Sequence, residues 1–187
     1  LLYALNRLLP EDIQVLEVKQ VEDEFHPRYD ALAKVYRYRF TRKKDVFLRP
    51  YRLYLEKEID LAKIKQAAGL LEGKKDFFNF SNRRKEEGST LRQIYRIAIE
   101  KTEDGFDLVF VGDGFLYKMV RIMVAYLLEV GYGRISPEMT QGILEERDRR
   151  YTRKVAPAQG LYLEKVFYDE EERTAYLTAL KNSEISL

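Results

Sequence analysis

Residues 112–133, GDGFLYKMVRIMVAYLLEVGYG, decide how the rest of the chain is read. Between Met119 and Val130 nearly every side chain is apolar, and the exceptions are Arg121, Glu129 and, in part, Tyr126. Gly112 and Gly114 stand in front, and Gly131 and Gly133 stand behind. The pattern predicts a helix entered by a tight turn and ended by a glycine stop. A helix apolar nearly all round belongs inside a protein. This one is too short, and carries a charge too early, to span a bilayer.

Arg121 is the residue in that helix that needs a reason. A guanidinium keeps its charge in a protein, and burying it unpaired would cost roughly 3–5 kcal/mol. A carboxylate or a bound anion is therefore expected against it. The plain alternatives are a structural Asp or Glu, or a side chain that extends to the surface with its stem buried.

Working outward, the 187 residues suit one domain, and 45% hydrophobic residues with 13% aromatics supply a core. Thirty-three basic residues against 31 acidic ones give a net charge of +2, so overall charge does not point to nucleic acid. Distribution matters more: residues 28–44 hold seven basic side chains against the single acid Asp30. The absence of cysteine excludes disulfides and thiolate metal sites within these residues and is compatible with a reducing compartment. One histidine, His26, excludes a histidine-rich metal site.

The remaining chain reads as short elements. Residues 1–10 form the last turns of a helix ended by Pro10, and 13–21 alternate as a strand. Pro27 interrupts pairing around 23–28. Residues 32–40 are a strong strand, with Tyr36, Tyr38 and Phe40 on one face and Arg37 and Arg39 on the other. A loop covers 42–50, and a short strand and turn cover 52–59. Asp60 caps a helix that Gly73 ends. The phenylalanine-rich run 74–82 packs a corner, and 81–90 reads as a mobile loop. Strands at 91–100 and 106–111 flank an Asp104-Gly105 hairpin turn. Ser136 and Pro137 start a helix running to about Arg147. Residues 161–168 form a last strand, and 169–182 a charged surface helix followed by a tail to 187. Hairpin-paired strands with singly inserted helices give an α+β class with a mainly antiparallel sheet flanked by helices.

Three stretches exceed packing needs. Basic residues interleaved with tyrosines in FHPRYDALAKVYRYRF (25–40) suit RNA, with arginines on phosphates and rings stacking on an exposed base. An ordinary amphipathic strand has the same spacing. The second stretch is the Arg121 helix, and the third is APAQGLYL (156–163), a turn into a strand. No GxGxxG or P-loop motif occurs, and no carboxylate pair stands in an apolar setting. His26 beside Pro27 reads as a structural hydrogen-bonding residue.

In order, LNRLLPEDIQV (5–15), FHPRYDALAKVYRYRF (25–40), LLEGKKDFFNFSN (70–82), GFLYKMVRIMVAYLLEVGYG (114–133) and APAQGLYLEKVFY (156–168) resemble the motifs of the TruA family of tRNA pseudouridine synthases. The resemblance implies a pseudouridine synthase-like catalytic fold and a cytoplasmic, homodimeric isomerase. Such an enzyme acts on uridines of the tRNA anticodon stem–loop without metal or organic cofactor. It implies an aspartate that attacks the uridine, a broken N-glycosidic bond, and a base that rotates and rejoins through carbon. The uridine must leave the base stack for this.

Carried onto this sequence, Tyr36 stacks on the flipped uracil, Arg121 pairs with and orients the aspartate, and Leu161 walls the pocket. Arg28, Lys34, Arg37 and Lys118 are placed for RNA, with Arg28 and the basic residues around it set either for the RNA backbone or for a buried pairing. The family's aspartate lies in an RTDAGVHA-like motif ahead of the LLP segment, and these residues contain no such motif. The resemblance therefore implies that residues 1–187 are the single-domain C-terminal portion of the enzyme, without its N-terminal half-domain and inactive alone. Tyr117-Lys118 also replaces a usual histidine-containing pair, and Pro27 a common alanine. The other readings are a catalytically empty RNA-binding module and a partner-binding fragment whose sheet edge the missing half covers.

Overall fold

A computed structural model describes residues 1–82, 88–146 and 149–183. The backbone divides into two compact units, Leu1–Asp30 and Ala31–Leu187.

The first unit holds helix α1 (Leu2–Leu8) and then chain without regular structure. Asn6 holds its return path: its Nδ2 donates to Val15 O at 2.8 Å, and its Oδ1 accepts from Val15 N at 2.7 Å. The strand expected at 13–21 does not form. Alternating apolar residues make a strand only where a neighbouring strand takes their backbone groups, and no strand among the described residues pairs with 13–21. His26 Nδ1 accepts from the backbone N–H groups of Arg28 and Tyr29, at 3.1 and 3.3 Å, so His26 builds the turn around Pro27.

The second unit is a six-stranded sheet with helices on both faces. Its strands are β1 (Ala33–Thr41), β2 (Leu53–Tyr54), β3 (Gly73–Asp76), β4 (Leu91–Thr102), β5 (Gly105–Gly112) and β6 (Leu161–Phe167). The order is β2-β1-β5-β4-β3, and β6 pairs with β1 beside that path. All pairings are antiparallel except that of β1 with β2. The α+β, mainly antiparallel expectation holds. Strand β3 is an addition to it: the segment GKKD, not expected as a strand, pairs with residues 91–94 of β4.

Helices α2 (Leu61–Leu71) and α3 (Met119–Gly131) join the larger core on one face, with Tyr38, Phe40, Leu108 and Phe110 from the sheet. Helix α5 (Glu170–Ser183) uses Tyr176, Leu177 and Leu180 to cover Ala33, Val35, Val109, Val111 and Phe167 on the other. With both faces covered, residues 108–111 of β5 read as a continuous apolar run rather than an alternating one. Asp60 caps α2 as expected, accepting from Ala62 N and Lys63 N at 3.0 and 3.1 Å. Helix α4 (Met139–Glu145) starts later than expected, because Ser136 and Pro137 form the turn ahead of it. Its expected end at Arg147, the centre of the expected mobile loop (83–87) and the tail 184–187 lie outside the described residues. Among the described residues no helix is long and apolar enough to cross a membrane.

The reading of α3 as buried holds along its whole length. Of its 13 residues only Arg121 and Glu129 are not buried, and the Tyr126 hydroxyl lies 2.8 Å from Thr140 Oγ1 inside the core. The glycines after the apolar run do different work. A Cβ on Gly131 would sit 2.5 Å from Ile59 Cγ1, so Gly131 permits close packing, whereas Gly133, at φ +71°, turns the chain out of the helix.

Candidate active site

Strand β1 supplies one wall. Its alternation puts Lys34, Tyr36 and Tyr38 on the α3 side, with Leu161 and Leu163 of β6 opposite Tyr38 and Tyr36. Tyr36 is half-buried, and its ring meets Phe115 edge-on at 5.2 Å between centroids and 82° between planes. Burial raises the Tyr36 pKa above its ordinary value, so at neutral pH the group is a phenol. Phe115 stands inside the 114–133 motif, where sequence reasoning gives it no role. Gly112 at the end of β5 leaves room for its ring. A Cβ there would come within 3.1 Å of Phe115 Cζ and 2.9 Å of Gln93 O. Leu163, 54% exposed beside Tyr36, is a second residue of this wall that sequence reasoning misses.

Arg121 enters from the first turn of α3. Its Nε donates to Ala156 O at 2.6 Å, while Ala156 N donates to Arg121 O at 3.0 Å. Among the described residues no carboxylate pairs with the guanidinium, and neither terminal nitrogen has a protein partner. Fixed at Nε, the fork presents those two nitrogens to an end-on carboxylate or another two-oxygen anion. Tyr38 donates its hydroxyl proton to Pro157 O at 2.7 Å, the carbonyl next to the one that holds Arg121. Burial pushes the Tyr38 phenol well up, against the pull of the Arg121 charge. Leu161 packs on the same core, so Tyr38, Arg121 and Leu161 meet around residues 156–161.

Arg37 has a different setting. Its Nη1 contacts Glu100 at 2.6 Å and Asp107 at 3.1 Å, and its Nε and Nη2 grip Glu164 at 2.6 and 3.2 Å. The irregularity in the β1–β6 register pairs Val35 with Lys165 and Tyr36 with Leu163, so the extra residue, Glu164, is the one that meets Arg37. The Arg37 side chain is 13% exposed. Burial pulls its pKa down, but the bonds to Glu164 and Glu100 outweigh that and raise it. Asp107 is raised by burial, against the influence of Arg37. The alternation expected along β1 is right, but the guanidinium is committed to three carboxylates on the α5 side rather than offered to a ligand.

Lys34 is half-buried at the start of β1, in register with Gly112 and Val166. Lys118 is, among the described residues, the one non-glycine at positive φ (60°), and its Nζ lies 5.2 Å from the centroid of the exposed Tyr117 ring. A lysine held in that region costs about 1 kcal/mol or more. It lets α3 begin immediately after the loop that carries Phe115. Arg28 belongs to the first unit, where it is exposed and lies over the Tyr29 ring at 5.9 Å.

Residues 67–169, more than half of the chain, match the family model described as tRNA pseudouridine synthase. The chain belongs to that family. Among its relatives are the tRNA pseudouridine synthase A proteins of Staphylococcus saprophyticus and Staphylococcus carnosus, each 44% identical over 172 residues. The tRNA pseudouridine synthase A of Staphylococcus aureus is 43% identical over the same length. Each alignment takes in 91% of this chain, and 64 or 65% of the relative. The chain thus spans just under two thirds of the length of these synthases. The matched region contains β3 to β6, the Arg121 helix and the 156–161 turn, while β1 with Tyr36 lies ahead of it.

Proposed function

We propose that these residues form the base-holding and aspartate-orienting part of a tRNA pseudouridine synthase. The enzyme isomerises uridine to pseudouridine in the anticodon stem–loop of tRNA and needs no metal or organic cofactor. The observation that carries this reading is Arg121, whose Nε is fixed by Ala156 O and whose terminal nitrogens have no protein partner among the described residues. A nucleophilic aspartate from outside these 187 residues pairs there. The guanidinium keeps that carboxylate ionised and aimed at the uridine.

The rest of the wall suits a flipped uracil. Tyr36 offers a ring face held by Phe115, and Leu161 closes the apolar side. After the aspartate attacks and the N-glycosidic bond breaks, the detached base must turn and be recaptured through carbon. A flat apolar slot favours rotation in plane over escape. Lys34 and Lys118 supply charge for the RNA backbone near the slot, and Arg28 is a further basic residue for RNA. Arg37, neutralised by its carboxylates, is a structural residue in this reading. The working enzyme is a cytoplasmic homodimer, and residues 1–187 are its C-terminal catalytic portion.

The test is pseudouridine formation in an anticodon-arm tRNA transcript by the full-length protein and by residues 1–187 alone. Product from the first and none from the second is expected. Failure of the full-length protein to form pseudouridine would remove the functional reading.

A further inference from the structure

The turn between residues 155 and 161 is held more firmly than a connection between a loop and a strand requires. At one end Ala156 exchanges two hydrogen bonds with Arg121, one to the guanidinium and one to the helix carbonyl. In the middle, Pro157 O accepts from the Tyr38 hydroxyl. At the far end Gly160 lies against the Tyr38 ring so closely that a Cβ would meet Tyr38 Cε1 at 2.6 Å, and its carbonyl accepts from Arg39 N at 2.8 Å. Tyr38 is fully buried, and its ring needs no hydroxyl to fill that space.

The two carbonyls that matter are adjacent in sequence. Between Ala156 O and Pro157 O lie one planar peptide, one φ locked by the pyrrolidine ring and a single soft dihedral. Holding the second carbonyl therefore holds the first with little slack. The first is the acceptor that sets the angle of the Arg121 fork.

We propose that Tyr38 is a positioning residue for the reaction: through the Pro157 and Ala156 carbonyls, its hydroxyl fixes the angle at which Arg121 presents its terminal nitrogens to the nucleophilic carboxylate. The proposal rests on the functional reading above. It gives Tyr38 no contact with the uridine and assigns it a role distinct from that of Tyr36, two residues away on the same face.

The test is Tyr38→Phe in the full-length enzyme, which keeps the ring and removes only the hydroxyl. The expected result is a kcat lowered about tenfold with KM for tRNA unchanged, because one hydrogen bond that orients a catalytic partner is lost while the RNA surface is untouched. In the nitrogen-15 spectrum of the same protein, the Arg121 Nε–H signal should lose its protection from exchange. Unchanged kcat, or a change in KM alone, would overturn the proposal, as would an unaltered Nε–H signal. If Tyr38→Phe does not fold, Pro157→Ala loosens the same linkage while leaving every hydrogen bond possible. It must lower kcat at constant KM, and wild-type kcat there would likewise overturn the proposal. An inactive wild-type enzyme would instead indict the functional reading, since the spectral comparison needs no turnover.

Discussion

Arg37 and Arg121 are two arginines with opposite surroundings. Arg37 has three carboxylates within 3.1 Å, whereas the terminal nitrogens of Arg121 have no protein partner among the described residues. Arg37→Met should therefore destabilise the fold by about 3 kcal/mol at neutral pH, measured by denaturant unfolding, because three carboxylates are left crowded together. Without the guanidinium the main pull against the burial that raises Asp107 is gone. A raised carboxyl contributes stability that is present in acid and lost as pH rises through its folded value, so the variant's deficit should shrink in acid. A variant with unchanged stability and weakened RNA binding would return Arg37 to the RNA surface. At Tyr36, Phe should be milder than Leu in turnover if the ring face holds the base. The reverse order would make the hydroxyl the working group. The roles of these side chains are only partly legible in the sequence. Tyr36 and Arg121 stand in recognisable motifs, but the carboxylates that engage Arg37 lie 63, 70 and 127 positions away.

Among the elements, α3 can be read from its sequence because a helix apolar on every side has one place to go, and its burial follows. The stretch 13–21 misleads because alternation describes a strand's side chains and says nothing about a partner for its backbone. Strand β3 escapes notice for the opposite reason: GKKD has no apolar alternation, and its pairing with β4 places it at the sheet edge, where lysines are favoured. The C-terminal half of α3 is tied down by Glu129, which bonds Lys154 at 2.9 Å and Arg134 at 2.6 Å. Burial alone would raise the Glu129 pKa, but these two cations outweigh it and hold the carboxyl below its ordinary value. A depressed carboxyl adds stability above its unfolded pKa, and that stability is lost as pH falls through the folded one. Glu129→Gln should therefore lower the melting temperature at pH 7. The difference should shrink below about pH 4.3 and vanish in stronger acid, and a constant difference across that range would exclude this origin. At the other end of α3, Lys118→Gly should relieve the positive-φ strain and leave stability equal or higher by about 1 kcal/mol. The same change should weaken RNA binding. A large loss of stability would mean that the lysine stem packs in a way its half-exposed position does not suggest.

At the scale of the whole molecule, the net charge of +2 on residues 1–187 supplies little general attraction for a polyanion, so their contribution to binding must come from where the charges sit. Affinity of the full-length protein for tRNA should fall about tenfold or more between about 50 and 200 mM salt, as expected for a few phosphate contacts. The central claim is that Arg121 waits for the carboxylate that does the chemistry. The measurement that tests it most directly is single-turnover pseudouridine formation in an anticodon-arm transcript by full-length wild type and Arg121→Lys, with tRNA affinity measured in parallel. Lysine keeps the charge but cannot form the forked pair. The account predicts no detectable product from the variant at near wild-type tRNA affinity. Wild-type rates from Arg121→Lys would contradict it and leave Arg121 a structural link between α3 and Ala156.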